Sequence, residues 1–351
     1  MGSSLFVPLA LGLVMFSFAA TSVLIVPFID LLFKLKATRR KEAPKSGKVP
    51  LFDKLHDKKA GTPLGGGILV VAVVAILFYL VFPFASHMGV FIRSSFNFRD
   101  EVLVIMLTFI SFGLLGGLDD YIKIFGKPTS GKLGLVFGLS RSRKFLLQWI
   151  IALGISFFIY HNLGIQFLHL PLIEENLKLG IWYVPFAAFV IVAFANAFNI
   201  TDGLDGLSVG LLLICLLAFA VIATSNLDTP LLVFIALWIG SLMAFLYFNV
   251  WPARIWLGDV GALAFGATLG VIGLLTGSIF ALVIIGGVFV VELVSSAIQI
   301  YGWKRLNRPI LPLAPLHNTF LARGWEESKI VTRAWLVGIM LAIFGLWLAT
   351  I

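Results

Sequence analysis

Long apolar segments alternate with short polar segments along the whole chain. Ten of the apolar segments reach or approach the roughly 20 residues that a helix needs to cross the hydrocarbon core of a bilayer. They lie at residues 5–33, 64–84, 101–118, 145–161, 181–198, 206–224, 230–249, 261–277, 279–301 and 333–350. We expect the first of them to be a spanning helix and not a cleaved leader, because no basic stretch precedes it. The pattern predicts an all-α integral membrane protein with about ten transmembrane helices.

The composition agrees with this pattern. Of the 351 residues, 60% are hydrophobic and only 12% are charged, whereas soluble domains average about 45–50% apolar and about 25% charged residues. This excludes an ordinary soluble enzyme and a disordered chain. The single Cys215 lies within an apolar segment, which also excludes a domain held together by disulfides. We therefore expect residues 1–351 to form one polytopic membrane domain.

The lysines and arginines indicate how the chain is oriented in the membrane. With ten spans, the segments after spans 1, 3, 5, 7 and 9 share one side of the bilayer, and together with Arg333 at the start of the tenth span they hold 23 of the 26 basic residues. Basic residues concentrate on the cytoplasmic side, so both termini are predicted to be extracytoplasmic. The predicted cytoplasmic segments are about 34–63, 119–144, 199–205, 250–260 and 302–332. No nucleic-acid-binding motif accompanies the charge, so we expect lipid or an anionic substrate as the partner and no nucleic acid.

Five aspartates fall on this same predicted side, at the ends of spans or in the loops that join them. They are Asp119, Asp120, Asp202, Asp205 and Asp259. Each alone is explained by a solvated helix end. Five carboxylates that converge on one membrane face require compensation by cations, so we predict a cytoplasmic-face active site there.

Three motifs carry these aspartates. In GGLDDYIK (116–123), adjacent aspartates point about 100° apart on a helix, so they need not share one ligand. Asp119 and Lys123 are four residues apart, which fits a site or an interfacial ion pair. In NAFNITDGLDG (196–206), Asn196, Asn199 and Asp202 form one polar stripe if the helix continues; the alternative is a turn whose side chains cap the next helix.

The third aspartate motif is FNVWPARIWLGDVGALAFG (248–266). Asp259 lies between two glycines before an apolar helix. An aspartate there suits Mg²⁺, which takes carboxylate and phosphate oxygens and keeps water molecules, or it caps the helix. Trp256 offers a face on which a base can stack, or it belongs to the aromatic belt at the lipid interface.

Two further cytoplasmic motifs lack aspartate. KKAGTPLGGG (58–67) places lysines before close-approach glycines, which suits a phosphate or a plain cytoplasmic basic cluster. APLHNTFLARGWEESK (314–329) contains His317, which can contact phosphate, donate a proton or be structural. Glu292 and Gln299 share a face of the ninth span, where an acid indicates function or simply fixes helix packing.

In this order, the motifs resemble those of the polyprenyl-phosphate hexose-1-phosphate transferases. The resemblance runs from about Lys58 to Arg333 and includes KKAGTP, LDDYIK, SRKFLLQ, NAFNITDGLDGL, FNVWPARIWLGDVG and APLH followed by GW. It implies a phosphoglycosyl transferase of the plasma membrane that requires Mg²⁺. A UDP-linked sugar donates its sugar-1-phosphate to undecaprenyl phosphate and releases UMP.

The resemblance also implies roles for individual residues. The catalytic and metal-binding carboxylates would be Asp119, Asp120, Asp202 and Asp259, with Mg²⁺ on Asp259 and on Asp202 or Asp119. The substrate-binding residues would be Lys59, Asn196, Asp205, Asn249 and Trp256 around the uridine, Lys123 and Lys144 near the phosphates, and Gln299 and His317 in the same cleft. Asn199 is predicted to bind substrate as well.

The branch of the family decides the sugar. The branch that uses a muramyl-pentapeptide donor, and so makes lipid I for peptidoglycan, fits APLH and RGW best. That branch normally has three consecutive histidines where this chain has His317-Asn318-Thr319, and Thr-Pro-Thr-Met-Gly-Gly where it has TPLGGG. The alternatives are the sister branch, which moves N-acetylglucosamine-1-phosphate, and a transporter or flippase. The sequence leaves open direct attack or a phospho-aspartate route, and a monomer or a homodimer.

Overall fold

A computed structural model describes residues 6–39, 59–85, 93–126, 129–131, 134–136, 138–171 and 175–351. Much of the predicted cytoplasmic segment 34–63 and part of 119–144 lie outside the described residues. Every predicted site residue lies within them.

The described chain is mostly helical. The helices are α1 (Phe6–Lys34), α2 (Gly66–Ala85), α3 (Phe98–Phe125), α4 (Arg141–Asn162), α5 (Tyr183–Thr201), α6 (Leu207–Ser225), α7 (Thr229–Asn249), α8 (Gly258–Leu275), α9 (Ile279–Ile285), α10 (Gly287–Tyr301), α11 (Leu316–Ala322) and α12 (Glu327–Ala349). A π-helical turn, Gly302–Leu306, follows α10. Two small antiparallel hairpins pair β1 (Thr129–Gly131) with β2 (Gly134–Val136) and β3 (Phe167–Leu170) with β4 (Glu175–Lys178).

The predicted all-α integral membrane class is confirmed. Within the described ranges, eight helices are long and apolar enough to cross a membrane, and Gly66–Phe82 is a shorter apolar helix. Each of the ten predicted segments contains helix. The count of ten and the extracytoplasmic termini remain predictions.

The predicted span 279–301 is not one straight helix. It is divided into α9 and the segment Gly287–Leu306, and the chain bends by 78° between them. The break coincides with Gly286 and Gly287, and paired small residues are a recognised cause of sharp kinks. A side chain at Gly286 would also lie 2.8 Å from the ring of Phe194 on α5, so the glycine lets the broken span pack closely against its neighbour.

Helix α8 lies at the centre of the molecule and is buried along its whole length. It packs against α3 and α5, and the closest approaches occur at glycines. A Cβ on Gly116 of α3 would lie 2.0 Å from the carbonyl oxygen of Asp259, and one on Gly67 of α2 would lie 2.3 Å from the Gly261 nitrogen. Small residues allow such backbone contact between helices in a membrane, where lipid supplies little drive for association. These contacts set α2, α3 and α8 in fixed register.

The polar ends of several helices meet at one end of the bundle. The end of α3 carries Asp119, and the end of α7 carries Asn249. The first turns of α8 and α12 carry Asp259 and Glu327, and Asp202 directly follows α5. We refer to this region, marked by these five residues, as the polar end.

Candidate active site

Two aspartates and two lysines form a compact cluster at the polar end. Asp119 Oδ2 lies 3.0 Å from both Lys123 Nζ and Lys144 Nζ, while Asp259 Oδ2 lies 2.8 Å from Lys123 Nζ and also accepts a hydrogen bond from Lys144. Asp119 and Asp259 are buried, whereas both lysines are partly exposed. Each ammonium group thus bridges two carboxylates drawn from α3 and α8. Partly exposed cations beside buried carboxylates can turn toward an incoming anion.

Asp120 points away from this cluster. Its Oδ2 accepts the backbone N–H of Val260 at 3.0 Å, in the first turn of α8. Its Oδ1 is buried and has no hydrogen-bond partner among the described residues. The divergence follows from the angular spacing of neighbouring residues on a helix. Asp120 therefore keeps one carboxylate oxygen available beside Asp259.

Asp202 lies beyond the end of α5, so the predicted helical stripe stops at Asn199. Burial, reinforced by the negative charges of Asp259 and Asp205, raises the pKa of Asp202 to about 7. A hydrogen bond from the Ser208 hydroxyl to Asp202 Oδ1, at 2.5 Å, opposes this rise in pKa. Asp202 therefore lies within electrostatic reach of Asp259 and can change charge near neutral pH.

The two asparagines of the predicted stripe lie on α5. Asn196 donates one hydrogen bond to Gln148 Oε1 on α4 and one to the Val192 carbonyl, both at 2.7 Å. Gln148 is 1% exposed, so this contact joins α4 to α5 below the polar end. Asn199 is half-buried one turn further along α5.

Lys59 forms the centre of a second charged group. Its Nζ lies 2.8 Å from Asp205 Oδ1 and also contacts Glu327 Oε1. The same atom sits over the rings of Trp251 and Trp256, at 5.4 and 4.9 Å from their centroids. Four distant parts of the chain meet at this ammonium group.

Asn249 and Trp256 are structural neighbours of this group. Asn249 accepts the N–H of Gly206 at 3.2 Å and donates to the Ile255 carbonyl at 2.9 Å. Trp256 is buried, and Arg39 also lies over its ring. A place in the aromatic belt at the lipid interface, one of the two interpretations of Trp256, is therefore wrong.

His317 is held by Glu292 from α10. The carboxylate of Glu292 accepts the backbone N–H of His317 at 3.1 Å and lies 3.1 Å from its Nδ1. The other ring nitrogen, Nε2, is buried without a partner among the described residues, and a Cβ on Gly203 would lie 2.5 Å from it. His317 thus presents Nε2 to the turn between Asp202 and Asp205.

Gln299 has a local role that the sequence did not indicate. Its amide donates to the Leu311 carbonyl at 3.0 Å and accepts the N–H groups of Ile310 and Leu311 at 3.1 and 2.9 Å. It fixes the loop between α10 and α11.

Glu327 was missed as a site residue. It follows Glu326 in the sequence, and two adjacent acids before an apolar span look like a solvated helix start. The available signal was its spacing of three and four residues before Ile330 and Val331, which are buried. That spacing places Glu327, and not Glu326, on the inner face of α12.

The donor set at the polar end suits a magnesium ion. Within the described residues, no three histidine, cysteine or acidic side chains are grouped closely enough to enclose a metal. Mg²⁺ is usually held by one or two carboxylates together with substrate phosphates and waters. Asp119 and Asp259 supply such carboxylates, and the orphaned Oδ1 of Asp120 is a further oxygen nearby. The residues therefore fit Mg²⁺ bound together with a phosphate-containing substrate.

Comparison with known proteins gives a consistent match along the chain. The model of the family described as Glycosyl transferase family 4 matches residues 102–277. The phospho-N-acetylmuramoyl-pentapeptide-transferase of Geobacillus sp. (strain WCH70) is 33% identical to this chain, over 95% of this chain and 96% of its own length. That of Anoxybacillus flavithermus (strain DSM 21510 / WK1) is 34% identical, over 95% of both chains. The corresponding protein of Geobacillus kaustophilus (strain HTA426) is 36% identical over 95% of both chains.

The helices, the polar end and the matched family model define an integral-membrane phosphoglycosyl transferase of glycosyl transferase family 4. At 33–36% identity over almost its full length, the chain belongs to the phospho-N-acetylmuramoyl-pentapeptide transferases. The resemblance seen in the sequence motifs is confirmed.

Proposed function

We propose that this chain transfers phospho-N-acetylmuramoyl-pentapeptide from its UDP-linked donor to undecaprenyl phosphate, which gives lipid I and UMP for peptidoglycan synthesis. The observation that carries this proposal is the similarity to transferases of that name over 95% of the chain. The products serve cell-wall growth and hence cell shape and division. The enzyme would reside in the plasma membrane with the polar end facing the cytoplasm, where nucleotide-linked donors are made.

The reaction must bring two anions together. An oxygen of the lipid phosphate attacks the phosphorus that carries the sugar, and the bond from that phosphorus to the UMP oxygen breaks. Lys123 and Lys144 supply positive charge where the phosphates would meet, and preorganised charge of this kind lowers the barrier most. In the resting protein these lysines are neutralised by Asp119 and Asp259.

Asp259, together with Asp202 or Asp119, would hold Mg²⁺ in this site. The ion supplies Lewis-acid neutralisation of the diphosphate and of the departing UMP. With the ion held by these carboxylates, Lys123 and Lys144 would be the cations that face the donor and acceptor phosphates.

Asp120 is the residue best placed to assist the acceptor. Its Oδ1 is buried and unpaired within the described chain, so it can accept the proton of the lipid phosphate or attack the donor itself. In the second case the carboxylate forms a bond to the sugar-bearing phosphorus as UMP leaves, and the lipid phosphate then displaces the carboxylate. Both routes lead to the same products.

The remaining residues would bind the two substrates. Lys59, Asp205 and Trp256 would surround the uridine, with Asn249 holding the adjacent Gly206 turn. Asn196 and Asn199 on α5 would also belong to the substrate-binding residues. His317 would approach the diphosphate through Nε2, and Gln299 would shape the same cleft by fixing its loop. A homodimer is compatible with these assignments and is not needed for them.

The identity of the lipid product tests the proposal. Purified protein is supplied with undecaprenyl phosphate, Mg²⁺ and either UDP-N-acetylmuramoyl-pentapeptide or UDP-N-acetylglucosamine, and the lipid is identified by mass spectrometry. We expect lipid I and an equal amount of UMP from the first donor only. A product from the second donor alone would assign the sister activity, and no UMP from either would refute the transferase proposal.

A transporter fits the arrangement poorly. Transporters place their binding groups near the bilayer midplane, whereas Lys59, Asp119, Asp205 and Asp259 gather at the polar end. Glu292, an acid within the predicted ninth span, is bound to His317.

Removal of divalent cations is expected to stop the reaction. The two buried carboxylates of Asp119 and Asp259 would then face the anionic diphosphate with only the lysines as compensation. We expect excess EDTA to lower UMP release to below about 1% of its initial rate, and added Mg²⁺ to restore it. Turnover that persists at full rate in EDTA would show that Mg²⁺ is not required.

A further inference from the structure

Glu327 directs its side chain into the protein at the start of α12. The side chain is only 9% exposed, whereas the adjacent Glu326 is exposed. A carboxylate in the first turn of a helix is stabilised by the unpaired N–H groups of that turn. This offsets part of the cost of burying the negative charge of Glu327.

One oxygen of Glu327 holds two groups from distant parts of the chain. Its Oε1 accepts the backbone N–H of Asp205 at 2.7 Å and a hydrogen bond from Lys59 Nζ. Because a single atom serves both donors, it fixes the separation between the Lys59 ammonium group and the turn that follows α5. Hydrogen bonds to a charged acceptor are about twice as strong as neutral ones.

Lys59 and Asp205 have other attachments that do not involve Glu327. They pair with each other at 2.8 Å, and Asp205 Oδ2 accepts the N–H of Ala253 at 2.9 Å. Lys59 also lies over Trp251 and Trp256. Removal of the Glu327 charge should leave these contacts in place. The main consequence of the removal is then a less exact placement of Lys59 relative to the Asp205 backbone.

We propose that Glu327 is a positioning residue for the nucleotide donor, which holds Lys59 and the Asp205 turn in the arrangement that binds the uridine. This inference rests on the proposed function, which puts Lys59 and Asp205 around that part of the donor. Within the described residues, Glu327 is hydrogen-bonded to Lys59 and to the Asp205 backbone, and not to Lys123 or Asp259. It therefore affects donor binding in the ground state and the transition state alike, and a loss of such uniform binding raises KM and leaves kcat unchanged.

The test compares Glu327→Gln with Glu326→Gln, a matched removal of one negative charge from the exposed neighbouring position. Initial rates of UMP release give KM and kcat for the UDP-linked donor, and calorimetry gives the Kd of UMP itself. We expect Glu327→Gln to raise both KM and Kd about tenfold, equivalent to about 1.4 kcal/mol, with kcat within about threefold of wild type. Glu326→Gln should match wild type.

Three outcomes would overturn the inference. They are equal KM and Kd values for the two variants, a fall in kcat at unchanged KM, and loss of folded protein in both Glu327→Gln and Glu327→Asp. The third would assign a purely structural role, and Glu327→Asp is included because it keeps the charge. The proposed function is judged separately, because it fails only when the wild-type protein releases no UMP from the donor.

Discussion

Asp259→Asn is expected to lower kcat for UMP release by about 10²- to 10³-fold. The carboxylate of Asp259 contacts both Lys123 and Lys144 and lies in the first turn of the buried helix α8. An amide of the same size cannot neutralise two ammonium groups or bind a divalent cation strongly. Positive charge would then be misplaced where the two substrate anions meet. The same replacement at Asp119, Asp120 and Asp202, made one at a time, should also reduce turnover.

The matched control is Asp30→Asn, which makes the same chemical change at an exposed position of α1. It should retain wild-type kcat and KM. Each variant must first elute as folded protein from size-exclusion chromatography. If all four site variants turn over at near wild-type rates while folded, these aspartates do not form the active site.

Gly116→Ala should damage the enzyme although it touches no substrate. A Cβ at this position would lie 2.0 Å from the Asp259 carbonyl oxygen and 2.6 Å from the Val260 nitrogen, both of which are backbone atoms that cannot rotate away. Helix α3 must therefore move away from α8. Because Asp119 and Asp120 lie on α3, this movement separates them from Asp259 on α8. Overpacking typically costs about 1–3 kcal/mol of stability, and displacement of catalytic groups by about 1 Å can cost about 10²-fold in rate. A lower Tm and an approximately 100-fold lower kcat are expected.

Gly117→Ala provides the control one residue away. Its added Cβ would meet only Val260 Cγ2, at an ordinary contact distance of 3.4 Å. Both variants lose the same glycine flexibility, so a difference between them reports the contact with α8. Equal Tm and kcat for the two variants would contradict the close packing of α3 on α8.

The spans could be predicted from the sequence because lipid is the solvent for most side chains, so an uninterrupted apolar run is sufficient information. The bend at Gly286 could not be predicted in the same way. The apolar run 279–301 continues through it, and many glycines in this chain lie inside unbroken helices. Whether a glycine bends a helix depends on what packs beside it, which for Gly286 is Phe194.

The gathering of the aspartates followed from topology, since alternate loops of a polytopic protein share one side of the membrane. Their individual partners did not follow. Asp119 pairs with Lys123, as its spacing of four residues suggested, but also with Lys144 from another helix. Such cross-helix pairs depend on the rotation and register of α3, α4 and α8, which the glycine contacts set. Sequence spacing within one helix carries no information about them.

Glu327 and Gln299 are two residues whose contacts could not be predicted from the sequence. Glu327 looked like half of a solvated acidic pair and is part of the charged group around Lys59. Gln299 looked like a residue lining the cleft and is engaged by its own loop. In both cases the deciding contact is a backbone N–H, from Asp205 in a distant part of the chain for Glu327 and from Leu311 in the adjoining loop for Gln299.

The most direct measurement is a cryo-electron microscopy structure of the protein with Mg²⁺ and UDP-N-acetylmuramoyl-pentapeptide, prepared without the acceptor lipid. We expect the diphosphate beside Lys123 and Lys144, with density for a cation against Asp259 and the uracil next to Lys59 and Asp205. A donor bound at the opposite end of the helices, or one that contacts none of these side chains, would contradict it.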